Sequence, residues 1–187
     1  LESVKGKRFE SINPSNMEIL GDVPLADEHD VDRAVLAAKE AFIDWRRIQI
    51  KERAGYLDAM ADKLQDNRDE LGLIDCVDSG NTIAGMKGDV DWSADTLSYF
   101  AALISEIKGE PFSEKPGHLN FTRREPYGVV AKINPFNHPL RFCAEKCASA
   151  LAAGNTVVMK ASEQAPLSSL RFAEICHEVL PPGVVNV

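Results

Sequence analysis

Gly128-Val-Val-Ala-Lys-Ile-Asn134, then Pro135-Phe-Asn-His-Pro139, a helical run from Leu140 to Ala153, Gly154, and Thr156-Val-Val-Met-Lys160 form the stretch that decides the fold of this 187-residue chain. Two short apolar runs rich in valine read as strands. The segment between them has helical spacing and closes on a glycine suited to ending a helix. A second helix is predicted from Pro166 to Leu180, and Val184-Val-Asn-Val187 begins a third strand. Strands alternating with helices imply a parallel sheet covered by helices on both faces, with right-handed crossovers. Ligands of such sheets bind beyond the carboxyl ends of the strands, which places any site near residues 134–139 and 160–163.

Working outward toward the N-terminus, the pattern changes. Phe9–Ile12 and Glu18–Val23 read as a hairpin around Asn13-Pro14-Ser15-Asn16. A helix is expected from Glu28 to Trp45, with Val31, Ala34, Val35, Ala38, Ala41, Phe42 and Trp45 at helical spacing and Asp27 as its N-cap. A second helix is expected from about Ile50 to Gly80, with Ala54, Leu57, Met60, Ala61 and Leu64 on one face and Gly80 as a left-handed C-cap. A third runs from about Thr82 to Ile107. Lys108 to Gly117 reads as a turn-rich connector and His118 to Arg124 as an exposed strand.

Composition excludes several classes. Apolar residues make up 44% and charged residues 27%, enough apolar side chain for a core and against disorder. The net charge of −8, with no basic run, argues against a nucleic-acid surface. No apolar run reaches about 18 residues, so no membrane-spanning helix is expected. Leu1-Glu2-Ser3-Val4-Lys5 lacks the pattern of a signal peptide. Cys76, Cys143, Cys147 and Cys176 fit no disulfide framework or zinc spacing, so reduced thiols in a cytoplasmic setting are expected, and no metal site.

No two of the 12 glycines are separated by a single residue, so the Gly-x-Gly-x-x-Gly dinucleotide fingerprint is absent. Two readings are open for Asn137. Either it or His138 caps the helix that Pro139 begins, or its amide points into a site as an oxyanion donor. Lys160 and Glu163 are either a solvated ion pair or a pair that holds ribose hydroxyls, the carboxylate favouring a free 2′-hydroxyl. Cys143 and Cys147 share a helix face, as a redox pair or as two small buried groups. Trp45 and Trp92 read as core. His118, His138 and His177 suggest no ligand set.

Taken together, three stretches resemble the aldehyde dehydrogenase superfamily: Pro126-Tyr127-Gly128 through Leu140, Ala150 through Leu167, and Leu180-Pro-Pro-Gly-Val-Val-Asn-Val187. Asp32-Arg33-Ala34-Val35 to Ala41-Phe42, and Asp75 to Gly80-Asn81, resemble the family's N-terminal helices. The resemblance implies an α/β fold with a Rossmann-like parallel sheet, an N-terminal helical region (1–107), a projecting oligomerisation segment (108–126), and the first βαβαβ part of an NAD-binding domain (127–187). It implies that Asn137 is the catalytic asparagine that stabilises the oxyanion of a thiohemiacetal. It also implies that Lys160 and Glu163 hold the adenosine ribose of NAD, and that Ile133, Asn134, Pro135 and Phe136 form the strip beneath the cofactor. Phe136 stands where the family usually has tryptophan, Ala161 where it has proline, and His138 where an aromatic is usual.

None of the four cysteines matches the family's nucleophile, which, with the general-base glutamate, belongs downstream of Val187. The reading is therefore an N-terminal part of an NAD-dependent enzyme that oxidises an aldehyde to a carboxylic acid, a homo-oligomer (dimer or tetramer) through 108–126, the 187 residues being inactive alone. The alternative is a short non-catalytic nucleotide-binding or structural protein of the same fold.

Overall fold

A computed structural model describes residues 3–187; Leu1 and Glu2, where the N-terminal segment and the stretch read for a signal peptide begin, lie outside the described residues. The hairpin forms as expected, with β1 (Arg8–Ile12) antiparallel to β2 (Ile19–Pro24). Helix α1 (Glu28–Trp45) carries the expected cap. The Asp27 carboxylate accepts from the amides of His29 (2.9 Å) and Asp30 (3.4 Å), and Asp30 returns the bond to the Asp27 amide. Such a reciprocal box satisfies helix-end donors that have no partner within the helix.

The single helix expected over 50–80 is two helices, α2 (Ile50–Asp66) and α3 (Arg68–Ser79). The break falls at Asn67, whose Nδ2 donates to the Lys63 carbonyl at 2.8 Å and whose backbone leaves helical geometry (φ −104°, ψ 17°). A short polar side chain that bonds the neighbouring backbone competes with the helical ladder. Gly80 ends α3 in the left-handed conformation (φ 78°), as read from the sequence. Helix α4 (Ile83–Leu103) starts at Thr82, whose hydroxyl accepts from the Gly85 amide, and tightens into a 3₁₀ turn at Ile104–Glu106. The connector is more ordered than expected. Its Pro111–Phe112 (β3) pairs antiparallel with Asn120–Phe121 (β4), all that forms of the strand expected over 118–124.

The parallel sheet is β5 (Val129–Ile133), β6 (Thr156–Lys160) and β7 (Val185–Asn186) in that spatial order, with α5 (Pro139–Ala152) and α6 (Leu167–Val179) as crossovers. Strands added in one direction by right-handed crossovers place their helices on the same face. Helices α5 and α6 accordingly pack with α2, α3 and α4, while α1 lies against the strands on the other face, where Thr156 Oγ1 donates to the Ala38 carbonyl at 3.0 Å. The main core lies among these helices and the sheet, around fully buried Leu57, Leu64, Leu97, Leu140, Leu151 and Phe172. Among the described residues no helix is long and apolar enough to cross a membrane.

Candidate active site

Strand β5 ends at Ile133, and residues 134–138 form the loop that leads into α5. The register pairs Ile133 with Lys160, and the Asn134 amide donates to the Lys160 carbonyl at 3.0 Å. The two segments singled out in the sequence therefore lie side by side at the carboxyl end of the sheet.

Pro139 is the first residue of α5, where its missing N–H costs nothing. Neither Asn137 nor His138 caps the helix through its side chain. Asp75 takes that role from α3: its Oδ2 accepts from the Leu140 amide at 3.3 Å. Three residues on, Asp78 does the same for α6, accepting from the Leu167 amide at 2.8 Å and from the Ser11 hydroxyl. One turn of α3 thus secures the N-termini of both crossover helices. The sequence reading missed this pair. Its only signal was two acids at i, i+3 on an otherwise apolar helix face.

Both carboxylates are enclosed. Asp75 is fully buried, and its Oδ1 accepts no bond. Burial pushes its carboxyl from 3.8 up to about 6, and the charges of Asp89 and Asp78 add to the rise. The nearby Ser168 hydroxyl and the Leu140 amide oppose it. Burial also raises the Asp78 carboxyl, against bonds from Ser11 and Leu167.

Asn137 is exposed, and its side chain makes no hydrogen bond among the described residues. Its backbone is held instead. Asn81, just past α3, donates from Nδ2 to the Asn137 carbonyl at 2.8 Å. The next residue, His138, pairs through Nδ1 with Asp89 Oδ2 of α4 at 2.5 Å. Arg141 approaches the same carboxylate at 3.6 Å and stacks on the Trp92 ring, 4.0 Å from its centre. Trp92 is half-buried and serves as that platform, whereas Trp45 is core as expected. The α3–α4 region therefore fixes the loop at Asn137 and at the residue after it, leaving the amide free.

Lys160 and Glu163 form an exposed ion pair, with the Lys160 ammonium holding the Glu163 carboxyl below its usual range. Ile133, the register partner of Lys160, is 78% exposed and Phe136 54%, so apolar surface is exposed at this end of the sheet. Pro135 is also exposed. Asn134 is not part of that surface. Its side chain is buried, with Nδ2 donating to Cys143 Sγ (3.0 Å) and Met159 Sδ (2.9 Å), and the whole residue is 5% exposed.

Cys143 and Cys147 are fully buried, and burial raises both thiols, Cys143 to about 12. Enclosed, protonated thiols remove the redox-pair reading.

Fold and site define a parallel α/β unit whose polar groups gather at the strands' carboxyl ends. The chain belongs to the aldehyde dehydrogenase family, whose model matches residues 1–187. It is 43% identical over 188 residues to aldehyde dehydrogenase tropH of Talaromyces stipitatus, an alignment covering 98% of this chain and 36% of that protein. The crystal structure of PnpE from Pseudomonas sp. WBC-3 superposes with a TM-score of 0.97 at 39% identity, covering 100% of this chain and 39% of that one. PnpE has also been solved in complex with nicotinamide adenine dinucleotide. An NADP-dependent enzyme of E. coli superposes with a TM-score of 0.98 at 31% identity, covering 100% of this chain and 39% of that one. The chain spans a little over a third of the length of these relatives.

Proposed function

We propose that this chain forms part of an NAD-dependent enzyme that oxidises an aldehyde to a carboxylic acid, and that it contributes the oxyanion donor and part of the cofactor cradle. One observation carries the reading: the Asn137 amide is uncommitted at the carboxyl end of β5 while its backbone is tethered by Asn81 and, through His138, by Asp89. With its backbone already fixed, the amide has only its own side-chain torsions to order as charge develops on a carbonyl oxygen. Its N–H groups meet the oxygen of an aldehyde attacked by a cysteine thiolate supplied by another part of the enzyme.

The residues present fit a nicotinamide dinucleotide. Glu163 offers carboxylate acceptors and Lys160 an ammonium donor, the complement of a ribose diol. Ile133, Pro135 and Phe136 offer an exposed apolar surface, and buried Asn134 supports the strip from beneath. The bound cofactor supplies the hydride acceptor. Glu163 favours a free 2′-hydroxyl, since a 2′-phosphate brings two like charges together. The Lys108–Pro126 segment, with exposed Phe112, Leu119 and Phe121, is assigned to pairing with a second copy in a dimer or tetramer. Four free cysteines, three of them buried, suit a reducing cytoplasmic setting. By this reading residues 1–107 support the coenzyme site and residues 127–187 begin it.

The test uses the full-length protein that carries this sequence. Asn137→Ala should lower kcat about 10²–10³-fold with the melting temperature unchanged. Near-normal turnover with a lowered melting temperature would return Asn137 to a purely structural role.

A further inference from the structure

The opposite end of the sheet carries a second concentration of charge. In a chain of net charge −8, five arginines, Arg46, Arg47, Arg53, Arg123 and Arg124, line one cleft of about 420 Å³. Glu125 is the one carboxylate among the described lining residues, and Arg123 engages it at 3.2 Å. The other four guanidinium groups have no carboxylate partner among the described residues, although Arg46 rests on the Phe42 ring.

Arg53 is the informative member. It is only 9% exposed, yet its guanidinium makes no side-chain hydrogen bond among the described residues, and its Nε is enclosed without a partner. Burial lowers its pKa, with no opposing charge to offset the shift. The fold makes room for it deliberately at Gly154. There φ is +87°, and a Cβ would lie 2.7 Å from Arg53 Nη1. The carboxyl end of α5 beside it supplies only a partial negative charge. Helix α2 begins at the same cleft with Ile50, and its N-cap Gln49 makes no side-chain capping bond. A buried, unanswered guanidinium beside an uncapped helix start is an arrangement that lacks its counter-charge.

We propose that this cleft binds a small anion of the phosphate class carrying two or more negative charges, with Arg53 at its base and Arg47 and Arg124 closing over it. Guanidinium groups present paired donors that match phosphate oxygens bidentately. Four unpaired cations favour a multiply charged ligand over a monoanion, and the volume admits more than one phosphate group. Pro126 and Ala153 of the cleft precede β5 and β6, whereas Asn137 and Lys160 follow or end them. The site is therefore separate from the proposed cofactor site and does not depend on its assignment.

The test is calorimetric titration of the full-length protein with inorganic pyrophosphate and, in a second arm, with glycerol 3-phosphate, both at constant ionic strength. The expected result is one site per chain, indifferent to saturating NAD. The arm that binds tighter identifies whether a free polyphosphate or a phosphate ester is the preferred source. Affinity should fall at least tenfold in Arg53→Met. The doubly substituted Arg47→Gln, Arg124→Gln protein, altered only at exposed positions, should show the same loss if Arg53→Met fails to fold. Absence of binding in both arms, displacement by NAD, or unchanged affinity in the double variant would overturn the proposal. So would a full-length crystal structure with one of the protein's own carboxylates on Arg53.

Discussion

Replacing Asp75 by asparagine tests the α3 capping arrangement most directly. The Asp75 carboxyl titrates at about 6 in the fold against 3.8 for the free group, because burial disfavours its charge. A shift of about 2 units corresponds to about 3 kcal/mol. The native chain takes up this proton near pH 6 and the unfolded chain only near its ordinary value. Between those limits the native state binds more protons, so stability falls as pH rises through the window, and the full cost of about 3 kcal/mol is present above about pH 7. Acidifying from about pH 7.5 to about pH 5 should recover about 1.4 kcal/mol of it. Asparagine keeps an oxygen to accept from the Leu140 amide but carries no charge. The asparagine bond is neutral and weaker, and its Nδ2 is enclosed where Asp75 Oδ1 has no partner, a cost of about 1–3 kcal/mol that offsets the relief of the buried charge, so the test is the pH dependence of the difference between Asp75→Asn and the parent and not its absolute size. Urea denaturation of both proteins at the two pH values isolates the effect, since the other titrating groups cancel in the difference. The stability of the variant relative to the parent should fall by about 1.4 kcal/mol on acidification. A difference that does not change with pH would show that Asp75 is not the buried, proton-accepting cap described.

The purified 187-residue chain should produce no NADH from aldehydes; turnover that disappears on mutating any of its four cysteines would refute the assignment of the nucleophile elsewhere. In the full-length enzyme kcat/KM with NAD should exceed that with NADP, and Glu163→Gln should narrow the ratio by removing the charge that repels a 2′-phosphate; equal or better use of NADP by the parent would overturn the role of Glu163. Substituting exposed Phe121 by glutamate should lower the oligomeric state seen by light scattering; an unchanged mass would separate the β3–β4 hairpin from assembly.

Much of this molecule is written in short-range patterns. The box at Asp27, the left-handed stop at Gly80, and the strands Val129–Ile133 and Thr156–Lys160 depend on residues within a few positions of one another, so periodicity and capping chemistry expose them. The alternation of those strands with helices was enough to place Asn137, Lys160 and Glu163 at one end of a sheet. What the sequence left open was decided by partners far away in the chain. Asp75 reaches Leu140 across 65 residues and so takes over the capping role open to Asn137 or His138, while Asp78 reaches Leu167 across 89 to secure the next helix. Only then is the Asn137 amide left uncommitted. Asn134, which reads like its neighbours in the strip, turns inward because Cys143 and Met159 surround it. Arg53 reads as an ordinary polar residue of an amphipathic helix until Gly154 folds against it. Local patterning determines where backbone hydrogen bonds close. Which buried polar groups find partners, and which remain free for chemistry, depends on side chains that meet only when the chain has folded.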